Sequence, residues 1–95
     1  MLQLDSDDQV TDQLIEDVEV VVSPNPSTGP ISIHANNNDQ LREVAIYDII
    51  GQLQYERTNL TSNHLNINQS FGQGLYFAHI KTAKGTTVQQ IEVIK

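Results

Sequence analysis

Three histidines, twelve carboxylates and a scatter of serines are the groups in this chain with chemistry to offer. His34, His64 and His79 fall in separate stretches and share no i, i+4 ligand spacing, so they read as surface or rim histidines rather than a metal site. No G-x-S-x-G segment places a serine on a strand–turn–helix elbow, and a catalytic triad is not expected. The paired acids Asp7, Asp8 and Glu16, Asp17 lack the glycine and ligand order of a calcium loop and read as solvated charge. There is no cysteine, which excludes disulfides, zinc ribbons and thiol catalysis. Asn59-Leu60-Thr61 and Asn68-Gln69-Ser70 match the N-glycosylation acceptor pattern, whereas Pro26 removes Asn25 from it. No catalytic, metal-binding or cofactor-binding residue is assigned, and no cofactor is expected.

The charge is distributed in a way that divides the chain. Residues 1–19 hold Asp5, Asp7, Asp8, Asp12, Glu16, Asp17 and Glu19 with no base, and so supply the whole net charge of −7. Residues 20–95 hold five acids and five bases. A neutral body lacks the clustered basic face that nucleic acid requires, and none is expected as a partner. The acidic head reads as a linker. Its alternative is a short helix, since Ser6 and Gln9 have capping-box spacing and Val10, Leu14 and Val18 recur at helical intervals. No apolar run reaches the roughly 18 residues of a transmembrane helix, and the start lacks the charged and apolar regions of a signal peptide.

The elements that position these groups are strands. From residue 18 onward the apolar residues recur every second position, in the stretches 18–22, 31–35, 43–48, 52–57, 64–68, 75–81 and 88–94. Ile31, Ile33 and Ala35 share one face, as do Val44 and Ile46, Leu53 and Tyr55, Leu65 and Ile67, Tyr76, Ala78 and Ile80, and Ile91 and Val93. Seven short strands, each with one apolar face and about ten residues apart, predict an all-β, antiparallel β-sandwich. Ninety-five residues suffice for one such domain, expected over 20–95 after the 1–19 segment.

The turns agree with this count. Asp48-Ile49-Ile50-Gly51 has the aspartate and glycine of a tight hairpin turn, and Ala83-Lys84-Gly85-Thr86 predicts another. In "SPNPSTG" (23–29), Pro24 and Pro26 cannot donate to a ladder, and Pro26 holds Asn25 out of the helical region. The stretch reads as a stiff, chemically inert connection that turns at Gly29. Phe77 and His79 alternate away from the expected core, leaving Phe77 either covered by a neighbour or free to touch a partner. The last strand is expected at a sheet edge, where unpaired backbone groups template strand addition.

Four segments together resemble a known family. "SPNPSTG" (23–29), "VAIYDIIGQL" (44–53), "GLYFAHI" (74–80) and "QQIEVIK" (89–95) are similar, in order and spacing, to the motifs of type IX secretion system C-terminal sorting domains, type A, of the Bacteroidota. The matching residues are Pro24, Asn25, Pro26 and Gly29; Tyr47, Asp48 and Gly51; Gly74, Leu75 and Tyr76; and Ile91, Val93, Ile94 and Lys95. The resemblance implies an Ig-like sandwich with no catalytic role. It implies a domain carried at the end of a larger cargo protein and directed from the periplasm through an outer-membrane translocon. A sortase would cut in the preceding linker, and the cargo would end secreted or on the cell surface. The terminal strand would carry much of the recognition. Gln89, Gln90 and Glu92 leave Lys95 as the only base of that last motif, so backbone pairing and apolar parity would have to suffice. The exposed terminal strand also allows a homodimer by strand exchange. The rival expectation is a surface adhesion or carbohydrate-binding module, for which the absence of tryptophan is unfavourable.

Overall fold

A computed structural model of the protein describes residues 18–94. The expected linker or helix of the acidic head falls almost wholly outside these residues, as does Lys95. Among the described residues seven strands follow one another: β1 (Val20–Ser23), β2 (Ile31–Ala35), β3 (Leu41–Asp48), β4 (Leu53–Arg57), β5 (His64–Ile67), β6 (Gly74–Thr82) and β7 (Thr86–Val93). All strand pairings are antiparallel. One sheet has the order β1-β2-β5 and the other β4-β3-β6-β7. This is the expected two-sheet sandwich. The fourth strand joins the third, whereas in constant-type immunoglobulin domains it completes the first sheet.

Alternation decides which side chains meet between the sheets. Ile31, Ile33 and Ala35 from β2, Leu65 and Ile67 from β5, Val44 and Ile46 from β3, Tyr76, Ala78 and Ile80 from β6, and Ile91 and Val93 from β7 are all buried. They form one core with Val20, Leu41, Leu60 and Phe71. Each large aliphatic residue so removed from water contributes about 1.5–3 kcal/mol. The β6–β7 hairpin thus belongs to the core through one face, while its other face meets solvent.

Strand β4 departs from the expected parity. Leu53 and Tyr55 are two residues apart and were expected to point inward together. Tyr55, opposite Ile46, packs partly against the core, but Leu53 lies opposite Tyr47 and is exposed. The ladder shifts register between Ile46 and Tyr47, so two positions of β4 answer one step of β3. Such a bulge turns the next side chain to the opposite face. Leu53 therefore stands on the solvent face beside Tyr47.

The tyrosine at the start of β6 closes the far end of the core. Its hydroxyl donates to the Gly72 carbonyl at 2.7 Å, four residues upstream. Its ring lies 5.3 Å from that of Phe71. A buried tyrosine needs such an acceptor, and this arrangement is like the tyrosine corner of immunoglobulin-type sandwiches.

Candidate functional site

The four sequence motifs lie far apart along the chain but gather at one end of the four-stranded sheet. Asp48 pairs with Tyr76, Gly74 pairs with Val93, and Ser27 forms a parallel bridge to Val93. The last residues of β3, the first of β6 and the last of β7 therefore lie side by side, with the 23–29 loop against them.

That loop does more than connect β1 to β2. Its two X–Pro bonds, Ser23–Pro24 and Asn25–Pro26, are cis. The intervening Asn25 side chain is applied to the outer edge of β7 like a short piece of strand. Its Nδ2 donates to the Gln90 carbonyl at 2.9 Å, and its Oδ1 accepts from the Glu92 N–H at 3.1 Å. Ser27 continues the pairing with its main chain. Its N–H donates to the Glu92 carbonyl at 2.8 Å, and its carbonyl accepts from the Ile94 N–H at 2.7 Å. Ser27 is itself fixed, being 1% exposed, with Oγ donating to the Pro30 carbonyl and accepting from the Gly29 N–H.

The terminal strand is at a sheet edge, as expected. Its accessibility is only partial. Alternation in the antiparallel ladder turns both main-chain groups of Thr86, Val88, Gln90 and Glu92 away from β6. The loop covers the Gln90 carbonyl, both groups of Glu92 and the Ile94 N–H. Ile91 and Val93 face the core, and Ile94 is half exposed. The expectation of a bare ribbon over the whole last strand is thus corrected: its final third is already paired. Asn25 was marked in the sequence as a motif residue, but its pairing with β7 was not, and Ser27 gave no signal.

The second motif builds the neighbouring turn. Asp48 Oδ1 accepts from the N–H groups of Ile50 and Gln52, at 3.1 and 2.9 Å, while Oδ2 accepts from Gln54 Nε2. Gly51, with φ at +89°, supplies the left-handed step that the turn requires. The turn holds Ile49 and Ile50 out in solvent. Tyr47 meets His79 edge-on, with ring centroids 4.9 Å apart. With Phe77 and Gly51 these residues border a shallow groove of about 330 Å³ on the outer sheet face. Leu75 points to the same face, opposite Glu92.

The groups considered for catalysis and metal binding are not brought together by these motifs. His34 and His64 are cross-strand partners on β2 and β5, which sequence spacing did not reveal. Both are exposed, and among the described residues no group of three or more metal-ligating side chains forms. His64 Nδ1 lies 3.4 Å from Ser62 Oγ, longer than a working nucleophile–base hydrogen bond.

A buried carboxylate is the other feature that sequence reading passed over. Asp39 is 2% exposed. Its Oδ1 accepts from the N–H of Gln40 at 2.8 Å and from the N–H of Lys84 at 3.2 Å. Burial pushes its pKa up. The adjacent Thr82 side chain, the two N–H groups and the Lys84 ammonium outweigh burial and hold it below the ordinary value of 3.8. Lys84 Nζ in turn donates to the Asn37 carbonyl at 2.6 Å. This contact ties the β2–β3 loop to the β6–β7 turn.

Among known families, that of the secretion system C-terminal sorting domain matches residues 21–95. A search of curated proteins finds no match. The matched span holds the seven described strands except the first residue of β1, and all four motifs that gather at one end of the four-stranded sheet. The chain belongs to the type IX secretion C-terminal sorting domains.

Proposed function

We propose that this domain is a non-catalytic address carried by a cargo protein joined upstream of it. Components of the type IX outer-membrane translocon bind the end of the sandwich where the four motifs meet. A sortase then cuts within residues 1–19, and the cargo passes from the periplasm to the medium or the cell surface. The observation that carries this reading is the gathering of Asn25, Asp48, Gly74 and Val93 at one end of the four-stranded sheet, with Asn25 and Gly74 bonded to or paired with the last strand. Nothing about that cluster resembles a reaction centre. It presents main chain and apolar side chains beside the loop-covered end of the last strand.

A fluorescent periplasmic reporter fused to residues 1–95, expressed in a type IX-competent cell, tests it. The expected result is reporter in the medium or on the surface, with a cut that mass spectrometry places inside residues 1–19. Reporter retained in the periplasm, or exported equally without the domain, would overturn the reading. Residues 91–95 are a poor target for simple deletion, because Ile91 and Val93 are core residues.

The adhesion or carbohydrate-binding alternative draws on Tyr47 and Phe77, which stand on the solvent face. Specific hits on a glycan array that are lost on Tyr47→Ala would favour it.

A further inference from the structure

Among the described residues, the 23–29 loop leaves one stretch of the β7 edge without a main-chain partner. Thr86 and Val88 turn their N–H and C=O groups outward, and Gln90 turns its N–H the same way. No hydrogen bond from another described residue reaches these groups. The open run starts where the strand leaves its turn and stops where Asn25 takes the Gln90 carbonyl. Behind the loop no further strand can add easily, because Pro24 and Pro26 have no N–H to offer.

We propose that the partner docks by adding an extended segment of its own main chain along Thr86–Gln90, and that Asn25 marks where that segment must end. The inference rests on the export-signal reading and extends its contact from the motif end along the β7 edge toward the β6–β7 turn. The occupant is a β-strand because the unpaired groups are main-chain donors and acceptors at strand spacing. The same edge already carries an extended segment of this molecule, the parallel bridge at Ser27. Charge selects little: the open run is uncharged, and exposed Lys81, the cross-strand neighbour of Thr86, also faces exposed Glu43 on β3. Side-chain demands are slight. Val88, 57% exposed, is the only large apolar group on the open run.

The test is Val88→Pro set against Val88→Thr in the reporter fusion. The Val88 N–H points away from β6, so proline there removes an outward donor without breaking the β6–β7 ladder. Threonine leaves the main chain intact. Export is expected to fall about tenfold or more with proline and to stay near wild type with threonine. Export of the proline variant at the wild-type level would overturn the inference, and so would an equal loss with threonine, which would mean that side chains are read. If Val88→Pro does not fold, amide exchange of the wild-type chain decides. The Val88 and Gln90 amides should slow when membranes from a type IX-competent cell are added, and unchanged rates would overturn the inference. Failure of the wild-type fusion to leave the periplasm would instead sink the export reading itself.

Discussion

The β6–β7 hairpin is held at both ends, and the two attachments differ in chemistry. At the turn, a buried carboxylate accepts from the main chain of Lys84, and the Lys84 ammonium reaches back to Asn37. At the free end, a neutral amide and an uncharged backbone segment pair with Gln90, Glu92 and Ile94. The turn attachment is buried and charged. The free-end attachment has a buried anchor, Ser27, and an outer arm, Asn25, whose bonds lie in solvent. Buried charge-assisted bonds are costly to lose, and exposed neutral ones are cheap. The hairpin can therefore loosen at its tip while its turn stays fixed.

Removing the carboxylate gives the largest effect. Asp39→Ala takes the acceptor from the N–H groups of Gln40 and Lys84 in a buried setting, and should lower stability by about 2–3 kcal/mol. Denaturant unfolding measures this. An unchanged midpoint would mean that the turn is held by apolar packing instead.

Acid should separate the two attachments without mutation. Asp39 has a lowered native pKa, so its contribution is complete above the unfolded value of 3.8 and is lost as the pH falls below it toward the native value. Unfolding free energy should drop over that window, and Asp39→Asn should flatten the drop. Asn25 and Ser27 carry no titrating group, so the protection of the Glu92 and Ile94 amides should fall only as far as global stability does.

The comparison also indicates what a local reading of the chain can reach. The inward parity of β2, β3, β5, β6 and β7 was legible, because burial on one face of a strand imposes a two-residue period on the same few residues. The turn at Asp48–Gly51 was legible because its chemistry is contained in four adjacent residues. Leu53 was misplaced because its facing depends on a register shift with β3, which alternation along β4 alone cannot disclose. Asn25 was marked by its motif but its contact was not, and Asp39 was passed over, for a related reason. Their partners lie 67 and 45 residues away, at Glu92 and Lys84, and no periodicity links positions across the sandwich. The opposition of His34 and His64 was hidden in the same way.

The smallest effect should come from the outer arm, and it sharpens the comparison most. Asn25→Ala removes two exposed bonds and should cost only about 0.5–1 kcal/mol of global stability. The Glu92 amide should nevertheless lose protection by more than that global change explains, since its partner is Asn25 Oδ1. The Ile94 amide, paired with the Ser27 carbonyl, should change no more than global stability does. Hydrogen exchange resolved by residue distinguishes the two. If Ile94 is exposed together with Glu92, then arm and anchor move as one body, and the free end does not loosen stepwise. If Glu92 alone responds, the open edge of β7 lengthens from Thr86–Gln90 to include the Gln90 carbonyl and the Glu92 N–H, and the same variant should bind an added strand more tightly than wild type does.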